Sequence, residues 1–107
     1  MFIVLYRWRI KRGKEPQFRA AWLAATKEIM ERYGALGSRL HHCEDGSWVA
    51  YAQWPDKDRW LLMRTSPPVA PEEFRVMRDC EADRGAFKVP YLTMVLTDDA
   101  LSIASSG

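Results

Sequence analysis

Through FIVLYRWRI (residues 2–10) the side chains alternate: Phe2, Val4, Tyr6, Trp8 and Ile10 share one face, and Ile3, Leu5, Arg7 and Arg9 the other. That period of two predicts a strand, which Gly13 ends. The period then changes. Pro16 fits the first turn of a helix and Glu15 favours the positive end of its dipole; Phe18, Trp22, Ala25, Ile29 and Tyr33 follow at spacings of three and four, with Gly34 as a C-terminal cap. A helix from about residue 15 to Tyr33 is expected.

Alternation returns over residues 36–44 and 47–54, with Asp45-Gly46 between them reading as a two-residue hairpin turn of the kind that needs positive φ. Pro55 stops the third strand, and Asp56 can cap a short helix carrying Trp60 and Met63. Ser66-Pro67-Pro68 is a loop. Pro71-Glu72-Glu73 opens a further helix that turns Phe74, Met77 and Cys80 inward and is closed by Gly85, before a last strand over residues 88–97. The order is strand, helix, strand, strand, one or two helices, strand. This is a ferredoxin-like split β-α-β arrangement of the α+β class, with an antiparallel sheet and helices on one side. Residues 1–97 make one domain and 98–107 a C-terminal tail.

Neither face of this sheet is clearly polar. Trp48, Ala50, Ala52 and Trp54 share one side of the third strand and Val49, Tyr51 and Gln53 the other; in the last strand Leu92, Met94 and Leu96 oppose Tyr91, Thr93 and Val95. A one-sided antiparallel sheet keeps a solvated polar face. Burying a large apolar side chain is worth about 1.5–3 kcal/mol, so Ile3, Leu5, Val49 and Tyr51 call for cover. A homodimer packed sheet to sheet supplies it.

Charge changes little in this picture. Among 107 residues, 16 Lys and Arg stand against 14 Asp and Glu, a balance that argues against nucleic acid or an anionic membrane as partner. Arg7 and Arg9 interrupt the opening apolar run too early for a signal peptide or a membrane span. Cys43 and Cys80 are neither a close metal pair nor a disulfide framework, which is the usage of a reduced, cytoplasmic protein.

Candidate chemistry lies on the helix-facing side. Trp48 and Trp54 can wall a space that Ala50 and Ala52 leave between them, and Tyr6 brings a phenol to the same face. Trp22, Phe74 and Met77 come from the helices to the same interior. His41 and His42 point to opposite faces, so only His42, in phase with Leu40, can reach that space. His41, His42 and Cys43 lack further ligands at a metal-site spacing, and the methionines read as adaptable core filling, so no metal is expected.

The segment YAQWPDKDRW (51–60), the opening FIVLYRWRIKRGKE (2–15), ERYGALGSRLH (31–41) and the Asp-Gly hairpin together resemble the antibiotic biosynthesis monooxygenase family. The resemblance implies a dimeric α+β barrel. Some members oxidise anthrones, quinols or other electron-rich phenols with dioxygen and no cofactor; others degrade haem. The oxidising members carry a tryptophan at the end of the third strand, matched by Trp54, and an arginine on the helix after the proline loop, for which Arg75 and Arg78 both match by spacing. An asparagine four residues before the tryptophan is replaced by Ala50, and a tyrosine six residues after it by Trp60. The haem-degrading members use an asparagine, a tryptophan and a histidine ligand where this chain has Tyr6, Met63 and Arg78, so haem ligation by that scheme fails. The resemblance therefore implies a cofactor-independent site: Trp54, Tyr6 and Arg78 as catalytic candidates, with Trp60, Trp48, Ala50, Trp22, Phe74, Met77 and His42 around a small hydrophobic or aromatic molecule. The other class consistent with these residues is a non-catalytic dimer that binds such a molecule.

Overall fold

The computed structural model describes residues 1–83, 87 and 91–101. Its elements are β1 (Phe2–Trp8), α1 (Glu15–Tyr33), β2 (Gly37–His42), β3 (Trp48–Trp54), α2 (Lys57–Thr65), α3 (Pro71–Cys80) and β4 (Tyr91–Val95). The strands form one sheet in the order β2-β3-β1-β4 with every neighbouring pair antiparallel. This is the ferredoxin-like α+β arrangement expected from the sequence.

Register fixes the two faces. Phe2 pairs with Trp54, Val4 with Ala52, Tyr6 with Ala50 and Trp8 with Trp48, so the even positions of β1 and β3 share a side. The three helices pack on that side. Phe18, Ala21 and Ala25 of α1 meet Trp48 of β3, Val69 and Ala70 of the loop before α3, and Met77 and Cys80 of α3, while Trp60 of α2 joins Phe2, Val4 and Trp54 at the other end. Phe18 is fully buried, with its ring edge-on to Trp8 at 5.2 Å and to Trp48 at 6.0 Å.

Local chemistry sets the element ends. Glu15 accepts a hydrogen bond from the Gly13 backbone at 2.8 Å, and Gly34 closes α1 at φ 72°, its N–H bonded to Met30 O. A side chain there would be strained and would meet the Arg59 guanidinium. Asp56 caps α2 by accepting from Arg59 N at 2.8 Å.

Several sequence expectations need correction, beyond strand ends that fall a residue or two short, as at Trp8, Trp48 and Val95. The hairpin is wider than a two-residue turn. Pairing stops at His42 and Trp48; Gly46 N bonds Cys43 O, Cys43 N bonds Ser47 O, and Gly46 at φ 87° is the turn residue with positive φ. Asp45 instead uses its side chain, accepting from Ser47 N at 2.9 Å and Ser47 Oγ at 2.6 Å. These two bonds hold its carboxyl below the ordinary range. Second, α3 ends at Cys80. Glu81 is extended and pairs with Ile10, while Lys11 N bonds Cys80 O and Ala82 N bonds Arg9 O, so the chain leaves the helix to run beside the end of β1. Gly85, expected to close the helix, lies outside the described residues, as do residues 88–90 of the last strand and 102–107 of the tail. Third, β2 starts at Gly37 rather than at residue 36.

The far side of the sheet carries Leu5, Val49, Tyr51, Leu92 and Met94, with Leu92 44% and Met94 39% exposed. Among the described residues no helix is long and apolar enough to cross a membrane.

Candidate functional site

A cavity of about 280 Å³ lies between the sheet and the helices. Tyr6 and Trp8 of β1 and Ser38 of β2 form its sheet side. Trp22, Ala25 and Ile29, at helical spacing on α1, form one wall; Phe74, Met77 and Arg78 of α3, with Glu81 just beyond, form the other, and Met63 of α2 closes a side. Ala25 on α1 is the small residue of the wall, and Ala50 and Ala52 of β3 stand in register with Tyr6 and Val4.

Tyr6 is the organised polar group. Its Oη accepts a hydrogen bond from Trp60 Nε1 at 3.1 Å, which leaves the phenol proton for another acceptor. Burial pushes its pKa up; the Trp60 bond and the Arg64 charge work against that rise, and Tyr91 adds to it. Tyr6 is therefore a neutral donor near pH 7 rather than a base. Its ring stacks on Trp8 at 6.0 Å and lies 6.2 Å from Tyr91. Ser38 lines the same space, and its Oγ is buried with no hydrogen-bond partner among the described residues. Buried hydroxyls are nearly always bonded, so one without a partner beside a cavity is suited to meet a ligand.

Two further pockets adjoin the cavity. A cleft of about 330 Å³ shares Tyr6, Trp8, Arg78 and Glu81 with it, and a groove of about 350 Å³ shares Met63, Phe74 and Arg78. Arg78 stands at both.

Of the residues singled out in the sequence, the structure brings Tyr6, Trp22, Phe74, Met77 and Arg78 to one cavity. Arg75 faces outward, bonded to Glu72 at 2.6 Å and near Asp79, so of the two arginines Arg78 is the one on the cavity. Trp54 is not on its wall: it is 2% exposed and packed among Phe2, Val4 and Trp60. Trp60, 4% exposed, sits behind Tyr6 and orients it. Ala50, 1% exposed, lies beneath Tyr6 in the sheet without a place on the cavity surface. Trp48 is buried against Phe18, and His42 stacks on Trp48 at 4.3 Å; both line an open groove outside, between α1 and β2. Ser38 and Glu81 were not among the sequence candidates. Ser38 was findable as the residue in phase with Leu40 and His42, and Glu81 as the position one turn beyond Arg78. Among the described residues, no group of three or more His, Cys, Asp or Glu could hold a metal ion.

A ferredoxin-like sheet with helices packed over a largely apolar cavity, holding one oriented phenol, defines an α+β domain with a pocket of small-molecule size. The family can be stated more closely. The sequence signature described as Antibiotic biosynthesis monooxygenase matches residues 1–70, and the chain belongs to that family. Among solved structures the fold is similar to SnoaB from Streptomyces nogalater, described as a cofactor-independent oxygenase, at TM-score 0.73 and 13% identity, covering 94% of this chain and 96% of that one. It is also similar to Rv0793 from Mycobacterium tuberculosis, at TM-score 0.70 and 16% identity, covering 92% and 97%. No curated protein sequence matches the chain.

Proposed function

We propose that this protein is a monooxygenase that uses dioxygen without a cofactor to oxidise an electron-rich aromatic such as an anthrone, quinol or related phenol. The observation that carries the reading is the Tyr6 hydroxyl, oriented by Trp60, on an apolar cavity with Arg78 on its wall. Such a substrate brings its own electrons, so the protein has to bind it, favour its anion and keep water away. Trp22, Phe74 and Met77 hold the ring. Tyr6 donates its proton as a hydrogen bond to the substrate oxygen, the Arg78 guanidinium favours the anion, and the Glu81 carboxylate beside it takes the proton released. The anion passes an electron to dioxygen, the radical pair combines at the activated carbon, and the peroxide loses water. For an anthrone the balance is CH2 plus O2 to C=O plus H2O.

The test is oxygen uptake and quinone formation with dithranol or a naphthohydroquinone, using chelator-treated protein against a boiled control. Enzyme-dependent turnover is expected, and Tyr6→Phe lowers it by about 100-fold, the scale of losing one donor to a developing oxyanion. No enzyme-dependent uptake on these substrates overturns the reading. It would favour the other class, a module that binds a hydrophobic molecule without transforming it. That alternative draws on Ala50 and Trp60, which stand where the oxidising members of the family carry polar side chains.

The functional unit we propose is a homodimer joined through the far side of the sheet. Leu92 and Met94, with Leu5, Val49 and Tyr51 beside them, support it: they form an apolar surface that the helices of the same chain do not cover.

A further inference from the structure

Three rings from three elements meet at the Tyr6 hydroxyl. Tyr6 of β1 lies 6.2 Å from Tyr91 of β4, Tyr91 lies edge-on to Trp60 of α2 at 6.0 Å, and Trp60 closes the triangle with its 3.1 Å bond to Tyr6 Oη. Arg64 stands one helical turn beyond Trp60 on α2, its guanidinium 5.0 Å from the Trp60 centroid and 4.8 Å from that of Tyr91. A planar guanidinium can stack on aromatic rings, whose quadrupole attracts the cation. The side chain thus ties the helix that carries the indole to the edge strand that carries the second phenol.

No acidic side chain competes for this guanidinium: Arg64 forms no ion pair among the described residues, whereas Arg9, Arg32 and Arg75 each do. The end of α2 does not need it either, because Thr65 Oγ donates to Leu61 O and Ser66 Oγ to Leu62 O. Nor does Arg64 line the cavity, whose residue from α2 is Met63. Its charge is nevertheless felt at the Tyr6 oxygen, where burial has the largest effect and raises the pKa, and the Trp60 bond and then Arg64 oppose that rise. An N–H donor weakens steeply when it swings off line, so the bond that aims Tyr6 depends on the angle at which the indole is held.

We propose that Arg64 is a positioning residue of the site: by bridging Trp60 and Tyr91 it fixes the indole that orients the Tyr6 hydroxyl, and it does so without touching what the cavity holds. The role deepens the oxygenase reading above and rests on it for its effect on turnover.

The test reads the indole directly. In the 15N-labelled full-length protein the five tryptophans each give an indole N–H resonance; Trp60→Phe identifies that of Trp60, and Tyr6→Phe shows where it moves when the bond is lost. Arg64→Met keeps the apolar stem and removes the charge, and the Trp60 resonance is expected to move toward its Tyr6→Phe position; Arg75→Gln, on the outer face of α3, leaves it in place. With dithranol, Arg64→Met is expected to lower kcat about 2- to 5-fold at unchanged KM, the scale of a cation–π contact at an exposed site. Added to Tyr6→Phe it causes no further loss, because it acts through that hydroxyl. A Trp60 resonance that stays in place or moves elsewhere in both Arg64→Met and Arg64→Gln, or kcat losses that add in full in the double variant, overturns the proposal. The expected resonance shift without oxygen uptake overturns the oxygenase reading and leaves this one standing; uptake with an unmoved resonance does the reverse.

Discussion

Replacing Tyr6 with Phe removes one oxygen and keeps the ring. Trp60 Nε1, 3.1 Å from that oxygen, loses its acceptor, and Trp60 is only 4% exposed, so water reaches it poorly. A buried donor left unsatisfied costs about 1–3 kcal/mol. Each kcal/mol moves Tm by about 4–8 °C in a domain of this size. Tyr6→Phe combined with Trp60→Phe removes donor and acceptor together, so the double variant is less destabilised than the sum of the two single ones. The same oxygen gives a pH signature. Burial raises the Tyr6 pKa above the ordinary phenol value of 10.0. From about pH 10 upward the unfolded chain therefore releases a proton that the folded chain keeps, and stability falls until the folded pKa is passed, by at most about 1.4 kcal/mol per pH unit. Below that range Tyr6 adds no slope. Thermal unfolding of wild type and Tyr6→Phe at one protein concentration, from neutral pH to about pH 11, reads both effects. The Tm gap should be widest near neutrality and narrow above pH 10. Equal Tm values at neutral pH, or a gap that stays constant through the alkaline range, would refute the reasoning.

Asp56→Ala removes the cap of the nine-residue helix α2 and should cost about 1 kcal/mol in urea unfolding, while Asp56→Asn keeps most of the stability; identical losses for both would show that the bond to Arg59 N contributes nothing. Light scattering should give a particle of twice the 12.4 kDa chain mass. Leu92→Glu, which places a charge on the exposed apolar side of the sheet, should return it to the mass of one chain, and a wild-type particle already at that mass would sink the dimer.

Most of the fold was legible because its periods are local. Alternation in FIVLYRW placed Phe2, Val4, Tyr6 and Trp8 on the helix side, where the register puts them. The hairpin was not legible. An Asp-Gly pair fits a two-residue turn, and what decides otherwise is the Asp45 side chain, bonded twice to Ser47. The candidate site was legible in the same uneven way. Periodicity tells which face a residue occupies, but not how far along a strand the helices cross it. Trp48 and Trp54 are on the cavity's side of β3, yet they lie six residues apart, about 20 Å at strand rise, so each falls at an end of the sheet and packs there. Tyr6 pairs with Ala50 between those ends and reaches the cavity; at the Trp48 end it is Trp8 of β1 that lines it, while Trp48 packs against Phe18.

The ten residues of α3 carry Phe74, Met77 and Arg78, whereas both hydroxyls at the cavity, those of Tyr6 and Ser38, come from the sheet. The site thus divides into a fixed half and an exchangeable half. Ladder bonds on both sides of β1 hold the Tyr6 backbone, while α3 is anchored through Met77 and Cys80 and presents the other two side chains from a surface-facing helix. Varying Phe74 and Arg78 together would reshape what enters the cavity without moving the hydroxyl it must meet, so a directed-evolution library confined to two codons samples ligand preference separately from the sheet's hydrogen-bond donors.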